Sequence, residues 1–188
     1  MSTHDDFVAT VKHYADRLGN ADVDVLGALF DLTSQRLVRL AIAVTRNQHD
    51  AEDAVQTALV RVANRPEVLS NAKSPWAYLL QMVRNEALVI GRRKKRQVAV
   101  ESLVDLVVDC KVDELEREET YRAIWSALRT LPVEQAEVVV LKIWEQMTFA
   151  EIGQLLETPP GTVASRYQYG MAKLAQRLSA QSDKVRRD

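Results

Sequence analysis

Residues 148–178 read TFAEIGQLLETPPGTVASRYQYGMAKLAQRL. Thr148 and Glu151 form a T-x-x-E capping box, in which two orphan backbone N–H groups are satisfied reciprocally, so a helix is predicted to start at Phe149. Phe149, Ile152, Leu155 and Leu156 then fall on one helical face. Pro159 and Pro160 cannot continue that helix, but either fits the first turn of the next one. Val163, Tyr167, Met171, Leu174 and Leu178 recur at threes and fours along this second helix. A short helix, a tight turn and a longer helix with apolar inner faces make a helix-turn-helix. In that unit the second helix enters the DNA major groove, start first. An ordinary helical hairpin carries the same pattern, so the rest of the chain has to decide.

The chain has 188 residues, 47% of them hydrophobic, which means one domain or two small ones. Six Gly, five Pro and no sustained alternation point to an all-α fold. Cys110 stands alone, so no internal disulfide pair can form. The start lacks the basic and apolar regions of a signal peptide, and no apolar run reaches the roughly 20 residues of a membrane span. A cytoplasmic protein without membrane insertion is expected. The net charge of −1 hides a division. Residues 21–100 carry twelve basic and eight acidic groups, residues 101–160 five and thirteen, and residues 161–188 six and two. Two basic blocks flank an acidic one, which suits a nucleic-acid binder better than the total does.

Residues 1–20 form a polar segment, expected to be loosely ordered. Residues 23–44 are helical by the spacing of Val25, Leu29, Leu37, Leu40 and Val44, with Asp22 or Asp24 as cap. A turn over residues 45–48 precedes a second helix opened by Asp50, which Pro66 either ends or enters at the last turn. Residues 67–74 read as a polar loop. Ser74-Pro75-Trp76 then starts a third helix, with Leu79, Met82 and Val83 in the core. It runs into the basic cluster Arg92, Arg93, Lys94, Lys95 and Arg96. Thus residues 21–96 make a first helical domain and residues 97–114 an acidic linker with docked aliphatics. Residues 115–181 make a second domain containing the helix-turn-helix, and residues 182–188 a charged tail. His4, His13, His49 and Cys110 lack ligand spacing, so no metal is expected. No phosphate-binding loop or nucleophile–base pair supports an enzyme or a cofactor.

Three further motifs complete the picture: DAEDAVQ over 50–56, PWAYLLQMVRNEA over 75–87 before the basic run, and LPVEQAEVVVL over 131–141 before GTVASR over 161–166. With these in place the chain resembles an extracytoplasmic-function (ECF) sigma factor of bacterial RNA polymerase, from about residue 25 to residue 178. The resemblance implies core RNA polymerase and promoter DNA as partners, and an anti-sigma factor as a partner the family often has. It assigns residues 50–61 to polymerase binding, 65–96 to recognition and melting of the −10 element, and 161–177 to the −35 element.

Asp53 and Gln56 share a helix face, where they can accept from and donate to a basic partner surface. Asp50 and Thr57 join them as polymerase-binding residues, and Thr57 stands where the family usually has Glu. A solvated helix start explains the same acids. Trp76 and Tyr78 offer platforms for unstacked bases beside Arg84, Asn85 and the cluster 92–96, whose cations can track phosphates. Against this, Trp76 suits the core and the charge run suits a solvated face. In the last helix Thr162, Ala164, Ser165, Arg166, Tyr169 and Lys173 are the −35 candidates. Here the sequence departs from the family: Ala164, Tyr169 and Met171 replace common basic residues, Glu157 replaces a turn glycine, and Gly170 costs a helix interior about 1 kcal/mol. Two other readings remain: a helix-turn-helix regulator that acts without polymerase, and a helical interaction protein that has lost DNA binding.

Overall fold

The computed structural model describes residues 3–19, 24–98 and 118–185. All nine elements among them are α-helices. The chain divides into two compact units, Met1–Asp105 and Leu106–Asp188. The expected linker over 97–114, Leu115 and Cys110 lie largely or wholly outside the described residues, as do Asp22 and residues 186–188.

In the first unit, residues 3–19 form a helix, α1 (Thr3–Gly19), where polarity predicts loose order. Val11, Ala15 and Leu18 recur at fours and threes and are buried, so one apolar stripe suffices to dock an otherwise charged helix. Helices α2 (Val25–Thr45), α3 (Gln48–Asn64) and α5 (Pro75–Val98) form the core, and α1 packs on α2 and α5. Asp24 takes the cap position of α2 but makes no side-chain cap bond. α3 starts two residues before Asp50, because the Asn47 side chain caps it by accepting from the Asp50 N–H at 3.0 Å. The polar loop expected over 67–74 contains a short helix, α4 (Glu67–Ser70), held by the fully buried Leu69. α5 begins at Pro75 as its Ser-Pro signal predicts, with the Ser74 carbonyl accepting from the Tyr78 N–H.

The second unit holds α6 (Glu118–Arg129), α7 (Val133–Ile143), α8 (Phe149–Leu156) and α9 (Pro160–Val185). Trp125 and Trp144 stack at 5.9 Å between centroids, and Leu128, Leu131, Val139, Leu141, Ile152 and Val163 fill the core. Two carboxylates, Glu137 and Glu145, are also buried there, which no periodicity foretells. Gly170 faces this core too. A Cβ on it would meet Val139 Cγ2 at 3.0 Å, so the glycine lets α9 pass close to α7, and its helix-propensity cost has a packing reason.

Candidate polymerase and promoter interfaces

Helix α3 turns opposite faces to the core and to solvent. Asp50 lies on the core side, only 8% exposed, and its carboxylate binds Lys94 Nζ at 2.8 Å on α5. It is therefore a tie between two helices, not a free polymerase contact. The exposed strip consists of Glu52, Asp53, Gln56, Thr57 and Val60, spaced to share one face. Val60 is 53% exposed, an aliphatic in the middle of polar neighbours. Sequence reasoning missed Glu52 and Val60, although both continue the spacing of Asp53 and Gln56.

Where α3 ends, a cleft of about 560 Å³ opens between it, α4 and α5. Arg61 and Asn64 line it from α3, Arg65 from the C-cap of α3 and Val68 from α4, and Tyr78, Gln81, Met82 and Asn85 line it from α5. The last four recur at threes and fours, so helical geometry alone brings them onto one wall. Met82, expected in the core, is half-buried on this wall. Arg61 is fixed by an ion pair to the largely buried Glu86. Tyr78 and Asn85 thus meet in one place, together with Arg61, Arg65 and Gln81, which sequence reasoning did not name. Their signal was the match between the end of one helix and the face of another 13 to 24 residues on, which needs the packing.

Trp76 does not reach the cleft. It is 3% exposed, with Phe7 of α1 edge-on at 4.9 Å and the Arg36 guanidinium 5.4 Å from its ring. A buried indole covered on its faces cannot stack on a base, so Trp76 is core. Arg84 is half-buried and does not line the cleft. The basic cluster is also not uniform. Arg92 and Arg93 are exposed, Arg92 Nε donates to the Leu88 carbonyl at 3.2 Å, and Lys94 is committed to Asp50. The side chains of Lys95 and Arg96 lie outside those described.

In the second unit the capping box at Thr148 is formed in full, with Glu151 N–H donating to Thr148 Oγ1 and Thr148 N–H to Glu151 Oε2. The turn closes when the Thr158 N–H donates to the Gly153 carbonyl at 2.9 Å. A Cβ on Gly153 would sit 2.7 Å from the Thr158 carbonyl oxygen, so only glycine permits this turn. Glu157 caps α8 in the left-handed region at φ 53°. Pro160 then opens α9, and the Pro159 carbonyl takes the Val163 N–H. Phe149 and Tyr167 close the two helices at 5.6 Å. At the start of α9, Thr162 and Ser165 are exposed and Ala164 and Arg166 half-exposed. Ser165 Oγ donates to the Gly161 carbonyl within the helix. Farther along, Tyr169 is 66% exposed and Lys173 exposed. All six −35 candidates therefore lie outside the helix-turn-helix core.

A three-helix core carrying an exposed acidic strip and a polar cleft, followed by a unit with a helix-turn-helix, is the architecture of a transcription initiation factor. Residues 29–97 match the Sigma-70 region 2 family and residues 121–174 match Sigma-70, region 4. The RNA polymerase sigma-E factor of Streptomyces avermitilis is 33% identical over 145 residues, 77% of this chain and 79% of that protein. The ECF RNA polymerase sigma factor SigW of Bacillus subtilis is 26% identical over 182 residues, covering 89% and 96%. The sigma factor RpoE, solved in complex with the anti-sigma factor NepR from Bartonella quintana, shares the fold with a TM-score of 0.69 at 20% identity, over 80% of this chain and 94% of that one. CnrH, solved with the cytosolic domain of CnrY, has a TM-score of 0.64 at 20% identity, over 90% and 97%. The chain belongs to the ECF sigma factors of RNA polymerase. Among the described residues no helix is long and apolar enough to cross a membrane.

Proposed function

We propose that the chain directs core RNA polymerase to its promoters from the cytoplasm, through three surfaces, with no catalysis of its own. The exposed strip Asp53, Gln56, Thr57, with Glu52 and Val60, docks on the polymerase. The cleft receives a base extruded from the −10 element. The start of α9 reads the −35 element through Thr162, Ser165 and Arg166, with Ala164 and Tyr169 shaping the groove contact and Lys173 on phosphate. An anti-sigma factor is a further partner in keeping with the family.

The observation that carries this reading is the make-up of the cleft. An aromatic ring, three side-chain amides and two guanidinium groups converge in about 560 Å³. Rings stack on bases, amides read base edges, and cations hold the flanking phosphates. Unstacking costs on the order of 1.4 kcal/mol per base step. Stacking on an aromatic side chain returns roughly 1–3 kcal/mol. An extruded base leaves two such steps, so its capture offsets much of the cost of a few kcal/mol, and the amide and phosphate contacts supply the rest. Arg92 and Arg93 continue the cationic track beyond the cleft.

Run-off transcription with core polymerase on promoters randomised at both elements tests the assignment. Asn85→Ala is expected to change preference within the −10 element, and Arg166→Ala preference within the −35 element. Specific binding to duplex promoter without polymerase, and no polymerase-dependent initiation, would instead establish a stand-alone regulator.

A further inference from the structure

Helix α1 precedes the part of the chain that matches region 2, which begins at residue 29. None of the three surfaces includes an α1 residue. Yet α1 packs on the two walls of the cleft that carry no polymerase contact, α4 and the start of α5.

Its C-terminal end meets α4 at Gly19. A Cβ there would stand 2.6 Å from Ser70 Oγ and 2.7 Å from Ser70 Cβ. No real Cβ tolerates such distances, and a serine Cβ cannot swing aside, so a larger residue must push the helices apart. Ser70 and Val68 are two residues apart on α4, roughly 200° around the axis. Ser70 thus faces α1 while Val68 faces the cleft, and Leu69 between them is fully buried. Near the other end of α1, Phe7 meets Trp76 edge-on at 4.9 Å. The Arg36 guanidinium lies 3.8 Å from the centroid of Phe7, and His4 Nδ1 lies 3.2 Å from Arg36 Nη2. Trp76 stands two residues before Tyr78, a cleft-lining residue.

We infer that α1 is a positioning element for −10 recognition: through Gly19 on Ser70 and Phe7 on Trp76 it sets the spacing of the α4 and α5 walls of the cleft. The inference rests on the reading of the cleft as the base-binding site. It makes Gly19 and Phe7 determinants of base selectivity without contact to DNA.

The test uses the full chain with core polymerase in run-off transcription, on promoters with single base changes through the −10 element. Gly19→Val drives α4 toward the cleft. Discrimination against the wrong base should fall by roughly five- to tenfold, much of what one base position carries in a specific site. Polymerase pull-down and −35 preference should be unchanged, and adding Ser70→Gly, which makes room for the valine, should restore discrimination. Gly19→Ala gives the graded, smaller loss and serves as the readout should the valine variant not fold. Equal −10 profiles for the parent and both Gly19 variants would overturn the inference. So would a loss of discrimination that Ser70→Gly does not rescue and that pull-down and −35 preference follow in step, since that is general destabilisation. Asn85→Ala separates the two levels. A changed −10 profile there with none at Gly19 removes the role of α1 and leaves the cleft reading standing; an unchanged profile at Asn85 removes both.

Discussion

Glu157→Gly should stabilise the second unit. Glu157 caps α8 at φ 53° and ψ 43°, a left-handed conformation. For a residue with a Cβ this conformation costs roughly 1–2 kcal/mol, and glycine removes that cost. Against it, glycine frees the unfolded chain by about 0.5–1 kcal/mol. The carboxylate also sits at the C-terminal end of a helix, where the macrodipole disfavours an anion by about 0.3–1 kcal/mol at an exposed site. The sum favours glycine by about 1 kcal/mol, which in a domain of 60–100 residues raises Tm by roughly 4–8 °C. Thermal unfolding of the full chain, followed through the near-UV signal of the stacked Trp125 and Trp144, reads the second unit. Glu157→Gln is the control. It keeps the Cβ and removes the charge, so it should gain only the macrodipole part. A glycine variant no more stable than the glutamine variant would refute the strain argument. Removal of a negative charge from the turn that leads into α9 should also tighten promoter binding at low salt for both variants.

Trp76→Leu should lower stability in thermal unfolding by about 2–4 kcal/mol, since it exchanges a buried indole for a smaller side chain; a variant as stable as the parent would refute the placing of Trp76 in the core. Asp53→Arg with Gln56→Ala should weaken pull-down of core polymerase with the helical circular dichroism unchanged, and undiminished pull-down would remove the strip from the interface. Arg92→Ala with Arg93→Ala should weaken promoter-complex formation alike across promoter sequences, because phosphate contacts position without specifying. The log–log salt slope should flatten by roughly 0.7–0.9 for each phosphate no longer neutralised, and an unchanged slope would make these arginines a solvated face.

What could be read from the sequence was local. The capping box at Thr148, the Pro-Pro restart and the Ser-Pro start of α5 each need only neighbours in the chain, and each stands where its residues put it. The apolar stripe of α1 was equally local, but charged residues between its members hid it from a reading by composition. α4 spans four residues, too few for periodicity, and depends on one buried leucine. The misplaced site residues have distant causes. Asp50 is drawn inward by a lysine 44 positions later, and Trp76 is covered by a phenylalanine 69 positions earlier. Likewise Gly170 has its reason in Val139 on another helix. Residues whose role depends on such partners look alike in sequence whether they face water or the core.

α3 gives the first unit its mechanical logic. On the proposed reading its exposed strip binds polymerase, and its last turn and C-cap supply Arg61, Asn64 and Arg65 to the cleft. Asp53 and Asn64 are eleven residues apart, about 17 Å along one helix. No loop or hinge separates the two surfaces, so an orientation imposed at one is imposed at the other. Two ion pairs extend this rigidity to α5. Asp50 to Lys94 ties the start of α3, and Arg61 to Glu86 ties its end. Each pair has one largely buried carboxylate, and breaking such a pair leaves a charge without compensation, which holds the helices to one register more firmly than exposed pairs do. On that reading, docking on polymerase delivers the cleft already oriented toward the duplex. The entropy of aligning it is given up in the docking step and not again at melting, the step where binding energy is needed for the bases.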